Sequence, residues 1–249
     1  MIKSFILGIL DIQENIIKHI NLNPTKIASV LAIIATLLVV ASIAGQFSKY
    51  MLGHDYLMGF VPLFNVDQER NIPTFFSVFL MLIIVFILVA ITIQNRMQGK
   101  EHSVSWAILA FGFMFMSYDE AFQVHEELTS PVRELLGEGS LGIFYFSWVI
   151  PAIILVFILA LFFFRFLFKL PSQTRIQFLL AGFLFLGGAI GLELLGGRYD
   201  ELYGRLNFTY SMLTAVEEGL EMTGLIVFIR ALLRYCAHTF REVRFKFEG

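Results

Sequence analysis

Six stretches of this chain are apolar over roughly the 20 residues a helix needs to cross about 30 Å of hydrocarbon. They lie near 27–47, 74–95, 104–127, 142–168, 176–195 and 209–234. Apolar runs of that length leave few folding options, because backbone polar groups in hydrocarbon are satisfied only within helices or closed barrels. The composition agrees: 57% of residues are hydrophobic, 28 are Phe and the mean hydropathy is +0.76. The expected fold is therefore an all-α integral membrane protein, a six-transmembrane-helix bundle forming one membrane domain over residues 1–249. Ahead of the first stretch, Ile2, Phe5, Ile6, Ile9, Ile12, Ile16 and Ile17 fall on one side of a helical projection. Lys3, Asp11, Glu14 and Lys18 fall elsewhere, which predicts an N-terminal amphipathic interfacial helix over 1–20.

Charge sets the expected orientation. With both termini cytoplasmic, 13 of the 18 basic residues face inward, leaving Lys49, Arg70, Arg133, Arg198 and Arg205 outside. The acids run the other way, with only Asp11, Glu14, Glu101, Glu242 and Glu248 inside. The expected location is a plasma membrane or bacterial inner membrane with the lipid bilayer as the main partner. The formal net charge of −2 excludes a basic nucleic-acid footprint, and the single Cys236 excludes an internal disulfide or a multi-Cys metal site.

Against that apolar background the acids stand out. Glu217, Glu218 and Glu221 occur inside the last stretch, TYSMLTAVEEGLEMTGLIVFI. Counted from Thr209 at about 1.5 Å per residue, Glu221 is roughly 18 Å deep, near the bilayer centre. Ionised groups at such depth are costly unless paired, hydrated or bound to a cation, so they mark a functional site. Glu217 and Glu221 are i,i+4 partners and Glu218 and Glu221 are i,i+3, which lets their carboxyl groups converge. The third stretch ends in Asp119, Glu120, His125, Glu126 and Glu127, and on a continuous helix Asp119 and Glu126 return to nearly one face. Glu193 ends the fifth stretch beside Gly196 and Gly197.

Two loops are candidates to complete the site. Asp67, Glu69 and Asn71 alternate ahead of the second long stretch, and an extended backbone there would aim all three oxygen ligands one way. The loop GGRYDELYGRLNFTYS offers Arg198, Asp200, Glu201 and Arg205 as counter-charges. The candidate cation-binding set is thus Asp119, Glu120, His125, Glu126, Glu193, Glu217, Glu218 and Glu221, with Asp67, Glu69 and Asn71 as outer-loop ligands.

Ligand chemistry limits the cation. Carboxylates with one imidazole suit Ca, Mg, Mn or Fe better than Zn. Of the five histidines only His125 accompanies the acids, and neither of the two Glu-x-x-His elements of a di-iron bundle is present. The pair Glu217-Glu218 resembles the double-glutamate start of CAAX-type intramembrane proteases. The Arg and the later helical histidines of that pattern are missing, so the resemblance implies no activity here. No Gly-x-Ser-x-Gly elbow, phosphate-binding loop or Cys-x-x-Cys pair occurs.

Three functions fit these residues. The first is ion conduction, transport or sensing, with Glu217 and Glu221 as central cation ligands or proton carriers. The second is a metal-dependent membrane enzyme acting on a lipid or small apolar substrate, with His125 and Glu217 as catalytic groups. The third is a structural or assembly subunit whose acids fix helix register. Gly187 and Gly191 in Gly-x3-Gly spacing mark helix 176–195 as a close-packing surface, for a neighbouring helix or for a homo-oligomer.

Overall fold

The computed structural model describes residues 22–240 apart from 138 and 140, so the predicted interfacial helix over 1–20 lies outside the described residues. All regular elements among the described residues are helical: α1 (Pro24–Leu52), α2 (Phe60–Phe64), α3 (Ile72–Met97), α4 (Ser103–Phe122), α5 (Val124–Glu127), α6 (Thr129–Leu136), α7 (Val149–Lys169), α8 (Ser172–Leu186), α9 (Glu193–Tyr203) and α10 (Phe208–Thr239). A π-helical turn, Gly187–Leu192, joins α8 to α9 without a break. Among the described residues, four helices are long and apolar enough to cross a membrane: α1, α3, α7 and the continuous Ser172–Tyr203 rod. α4 and α10 have the length, and their acids lower their hydropathy.

Helix ends follow local chemistry. Asn23 caps α1 by accepting from the backbone N–H groups of Thr25 and Lys26, both at 3.0 Å, with Pro24 at the first helical position. Gly53 closes the same helix at φ 72°, in the left-handed region that glycine enters without strain. Asn71 caps α3 by accepting from Thr74 N at 3.2 Å. Its amide donates to Asn65 O at 2.6 Å and to Pro62 O at 3.3 Å.

α10 is the axis of the molecule. It packs against α8, α1, the π-helical turn, α3 and α9, while α3 and α4 pair along their lengths. Close approach depends on two glycines. A Cβ on Gly188 would meet Glu217 O at 2.7 Å and Glu221 Cγ at 2.8 Å, and one on Gly224 would meet Phe185 N at 2.7 Å. The sequence pointed to Gly187 and Gly191 for this role, but Gly187 has nothing within 4 Å of its Cβ position and Gly191 only its own helix's Leu186 O at 4.0 Å. The π-helical turn rotates Gly188 onto α10 instead.

The half of the bundle nearer the termini is an apolar and aromatic core. Trp106 is 1% exposed, with the rings of Phe166 and Tyr235 each 4.9 Å from its own. Leu80, Ile84, Leu88, Ile91, Met222 and Leu232 bury fully around α3 and α10. The other half carries the acids.

Candidate functional site

α4 does not run on to residue 127 as its sequence suggested. Gln123 takes φ 55° and ψ 38°, the left-handed conformation, and its N–H donates to Asp119 O at 2.6 Å, ending the helix. The chain turns back, and Asp119 takes both polar groups of His125: the backbone N–H donates to Oδ1 at 2.7 Å, and ring Nδ1 lies 2.8 Å from Oδ2. The heptad relation between Asp119 and Glu126 is lost with the helix. In its place stands an Asp-His pair whose ring orientation is fixed, with Nε2 facing away from the aspartate.

From this pair a chain of contacts crosses three elements. The His125 ring lies 4.4 Å from the Trp148 ring, and Trp148 Nε1 donates to Glu193 Oε1 at 3.0 Å. Glu193 is the first residue after the π-helical turn, a feature that often re-aims a side chain at a functional position. Its carboxyl group is in hydrogen-bond contact with that of Glu217 on α10. Two carboxyl groups in such contact hold either a proton or a cation between them. Glu217 is 8% exposed. Glu218 and Glu221 are partly buried on the same helix. Glu218 is within electrostatic reach of Glu120, Glu69, Asp67 and Glu193, and Glu221 within reach of Glu218, Glu120, Glu217 and Glu193. Asp67, Glu69, Glu120, Glu193, Glu217, Glu218 and Glu221 thus share one electrostatic neighbourhood.

The loop between α2 and α3 stands at the edge of this acidic neighbourhood. Residues 66–71 are bends and turns rather than extended backbone, with Gln68 N donating to Asn65 O at 3.1 Å and Arg70 at φ 61°. The expected alternation of ligands is therefore absent. Asn71 turns inward and is committed to capping, while Asp67 and Glu69 remain with the acids. Burial, the largest cause, lifts the Asp67 carboxyl from 3.8 to about 6, with Glu193 and Glu126 adding to it and Arg205 and Lys49 opposing. Asp67 nonetheless keeps open surface at this edge, so solvent screens part of that effect. Burial also raises Glu69, reinforced by Glu126 and countered by His125, Thr74 and Gln123. Burial pulls His125 down, but the Asp119 hydrogen bond and charge, with Glu126 and Glu193, outweigh it and hold the imidazole above its ordinary value.

The nearby arginines form ion pairs within their own segment, while Arg205 also acts on Asp67 through space. Arg198 pairs with Glu201, and Arg205 Nη2 lies 3.0 Å from Asp200 Oδ2. These pairs form where the sequence suggested a loop: α9 extends the helix to Tyr203, so Arg198, Asp200 and Glu201 are helical and pair locally. Neither arginine forms an ion pair with Glu217 or Glu221 among the described residues. Among those same residues, no three His, Cys, Asp or Glu side chains close on one point as a metal-binding group does. The carboxyl groups are spread over several elements rather than gathered at one point.

The family model described as Domain of unknown function (DUF8692) matches residues 30–236, a span that contains every acid of this neighbourhood. The chain belongs to the DUF8692 family. No curated protein and no solved structure matches it.

Two residues of this DUF8692 site, Trp148 and Gln46, escaped the sequence reading, and Gly197 was noted only as a neighbour of Glu193. Trp148 bridges His125 to Glu193, and a Trp inside an apolar stretch carries no mark of that role. Gly197 admits the loop that delivers it, since a Cβ there would stand 3.0 Å from Phe146 Cδ2. Gln46, 2% exposed on α1, accepts from Ser211 Oγ at 3.4 Å through Oε1, while its Nε2 has no partner. A glutamine inside an apolar stretch was a signal that could have been read.

Proposed function

We propose that this protein is a six-span membrane protein, both termini cytoplasmic, whose outward-facing carboxylate cleft takes up cations in conduction, transport or sensing. Protons and cations compete for the same carboxyl groups, with Glu217 and Glu221 at the deep end and Asp67 at the rim. One observation carries the reading: carboxyl groups from α4, α9, α10 and the outer loop face one another while the nearby arginines pair locally. A structural cluster would match these acids with Arg198 or Arg205. Acids spread along a cleft also suit a hydrated or moving cation, which needs favourable but exchangeable sites. The cations that fit are protons and divalent ions of the Ca, Mg, Mn or Fe type.

The test is cation and proton flux into proteoliposomes. Glu221→Gln keeps the shape and removes the charge, so flux should fall about tenfold or more with melting unchanged. Flux equal to wild type in both Glu217→Gln and Glu221→Gln, with only melting altered, would make the acids structural.

The Asp119–His125 pair favours a second reading, a metal-dependent membrane enzyme acting on a lipid or small apolar substrate. A histidine oriented by a carboxylate serves equally as a metal ligand or a proton-transfer group. His125→Ala separates the two: lost bound metal or turnover with flux absent from wild type as well supports the enzyme.

A further inference from the structure

A groove of ≈ 470 Å³ runs between α1 and α10, on a different side of α10 from the contact between Glu217 and Glu193. Its two ends differ in chemistry. The helices are antiparallel there, since a Cβ on Gly219 would lie 3.7 Å from Val39 Cγ2, and the same register puts Arg230 level with Ala28. Thr25, Ser29 and Arg230 therefore stand together at the end nearest the chain termini, offering two hydroxyls and a guanidinium. Further along, the walls are apolar. Thr36 and Thr223 donate their hydroxyls to Ala32 O at 2.8 Å and Gly219 O at 2.6 Å, leaving methyl groups and small residues toward the groove. From Arg230 to Gly219 the helix rises about 16 Å at 1.5 Å per residue, about the depth of one leaflet in a core of about 30 Å.

Among the described residues Arg230 forms no ion pair or hydrogen bond, and none of those lining the groove is an acid. A half-buried guanidinium beside two hydroxyls calls for an anion with several acceptor oxygens, which phosphate supplies in bidentate geometry. Lys26 and Arg234 lie near the same end in sequence and favour a negative headgroup. An anionic head level with an apolar trough one leaflet long is the form of a phospholipid.

We propose that this groove binds one anionic phospholipid, its phosphate held by Arg230, Thr25 and Ser29 and one acyl chain lying along Ala32 to Val39. The site does not depend on the cation reading, because it uses none of the cleft acids.

The experiment compares wild type with Arg230→Gln, Arg230→Lys and Ala32→Phe in mixed micelles containing phosphatidylglycerol or phosphatidylcholine. Retained lipid is read by native mass spectrometry and melting temperature is read in parallel. Wild type should prefer phosphatidylglycerol by at least about fivefold, the effect of one basic residue at an anionic interface. Arg230→Gln should abolish the preference, Arg230→Lys should keep part of it, and Ala32→Phe should lose retention of either lipid. Should Ala32→Phe fail to fold, the two Arg230 variants still decide the matter. A preference unchanged in Arg230→Gln overturns the proposal. So does equal protection by inorganic phosphate, which assigns a soluble anion, or disulfide linkage of two copies through Ala32→Cys in a Cys236→Ser background, which assigns the groove to a second copy.

Discussion

α7 and α10 both have the length to cross a bilayer and differ in almost everything else. α7 buries only Val149 and Phe166 among its 21 residues, and Phe157, Leu161 and Phe164 project outward at 64%, 63% and 58% exposure. α10 buries thirteen of 32 residues, touches most of the bundle and carries three carboxyl groups. Hydropathy alone picks α7, with three other spans among the described residues, and passes over α10. Lipid contact selects for uniform apolarity, whereas the helix that lines a polar cleft must be shielded by its neighbours. Of these two helices the more hydrophobic is the less packed, and the less hydrophobic one carries the acids.

The contrast breaks most sharply at the glycines. Gly188→Ala places a methyl group into Glu217 O and Glu221 Cγ, so α8 and α10 must separate or strain. A loss of about 1–3 kcal/mol is expected, read as a fall in melting temperature together with altered cleft function. Gly187→Ala, one residue away with open space around it, should be nearly silent. Equal effects at both positions would mean that the π-helical turn does not set the register.

Next in size is the coupling between Glu193 and Glu217. Glu193→Gln and Glu217→Gln, alone and combined, should be non-additive in stability by about 0.5–3 kcal/mol, as expected for groups in direct contact. Strict additivity would separate α9 from α10 at this point.

pH probes the rim. An acid whose folded value lies above its unfolded one binds a proton more tightly when folded, so its stabilising contribution at low pH is lost as pH rises. For Asp67 that window runs from 3.8 to about 6. Wild-type melting should contain a component that falls across this range, and Asp67→Asn should remove it and be the more stable protein above pH 6. The size should stay below about 1 kcal/mol, because the rim is open to solvent. His125 contributes in the opposite chemical sense: its charged form, favoured by Asp119, stabilises below the unfolded value of 6.5. That contribution is lost as pH rises through the higher folded value.

Much of this was legible in the residues. Each of the six apolar stretches contains a long helix, but the fourth begins as a 3-10 turn and bends before its helix starts at Val149, and the third breaks at Gln123. The acids of α4 and α10 keep those two from reading as membrane spans by hydropathy. The deep acids of α10 were visible because nothing in an apolar run explains a carboxylate. The break at Gln123 was not legible, since a glutamine in the left-handed region announces itself with neither Gly nor Pro, and the Asp119–His125 pair depends on it. Gly196 and Gly197 read as a helix end, yet the helix passes through them to Tyr203, and Phe146 packs closely against Gly197. The π-helical turn depends on how α8 meets α10, which no local pattern encodes.

The smallest expected effect lies on α7. Phe157→Ala should change stability by no more than about 0.5 kcal/mol, as a residue outside the packed core does. A loss comparable to that of a core aromatic would show that a protein surface, rather than lipid, covers this face.

The central claim is that protons and cations compete for one set of carboxyl groups, and calorimetry in two buffers of different ionisation enthalpy tests it most directly. Titration of the purified protein with calcium, magnesium or manganese should release protons, giving heats that differ between the buffers. A hundredfold excess over the dissociation constant should stabilise the fold by about 2.7 kcal/mol. Both signals should weaken in Glu217→Gln and Glu221→Gln. Binding heats identical in the two buffers, or no heat and no melting shift with any of these ions, would contradict the account.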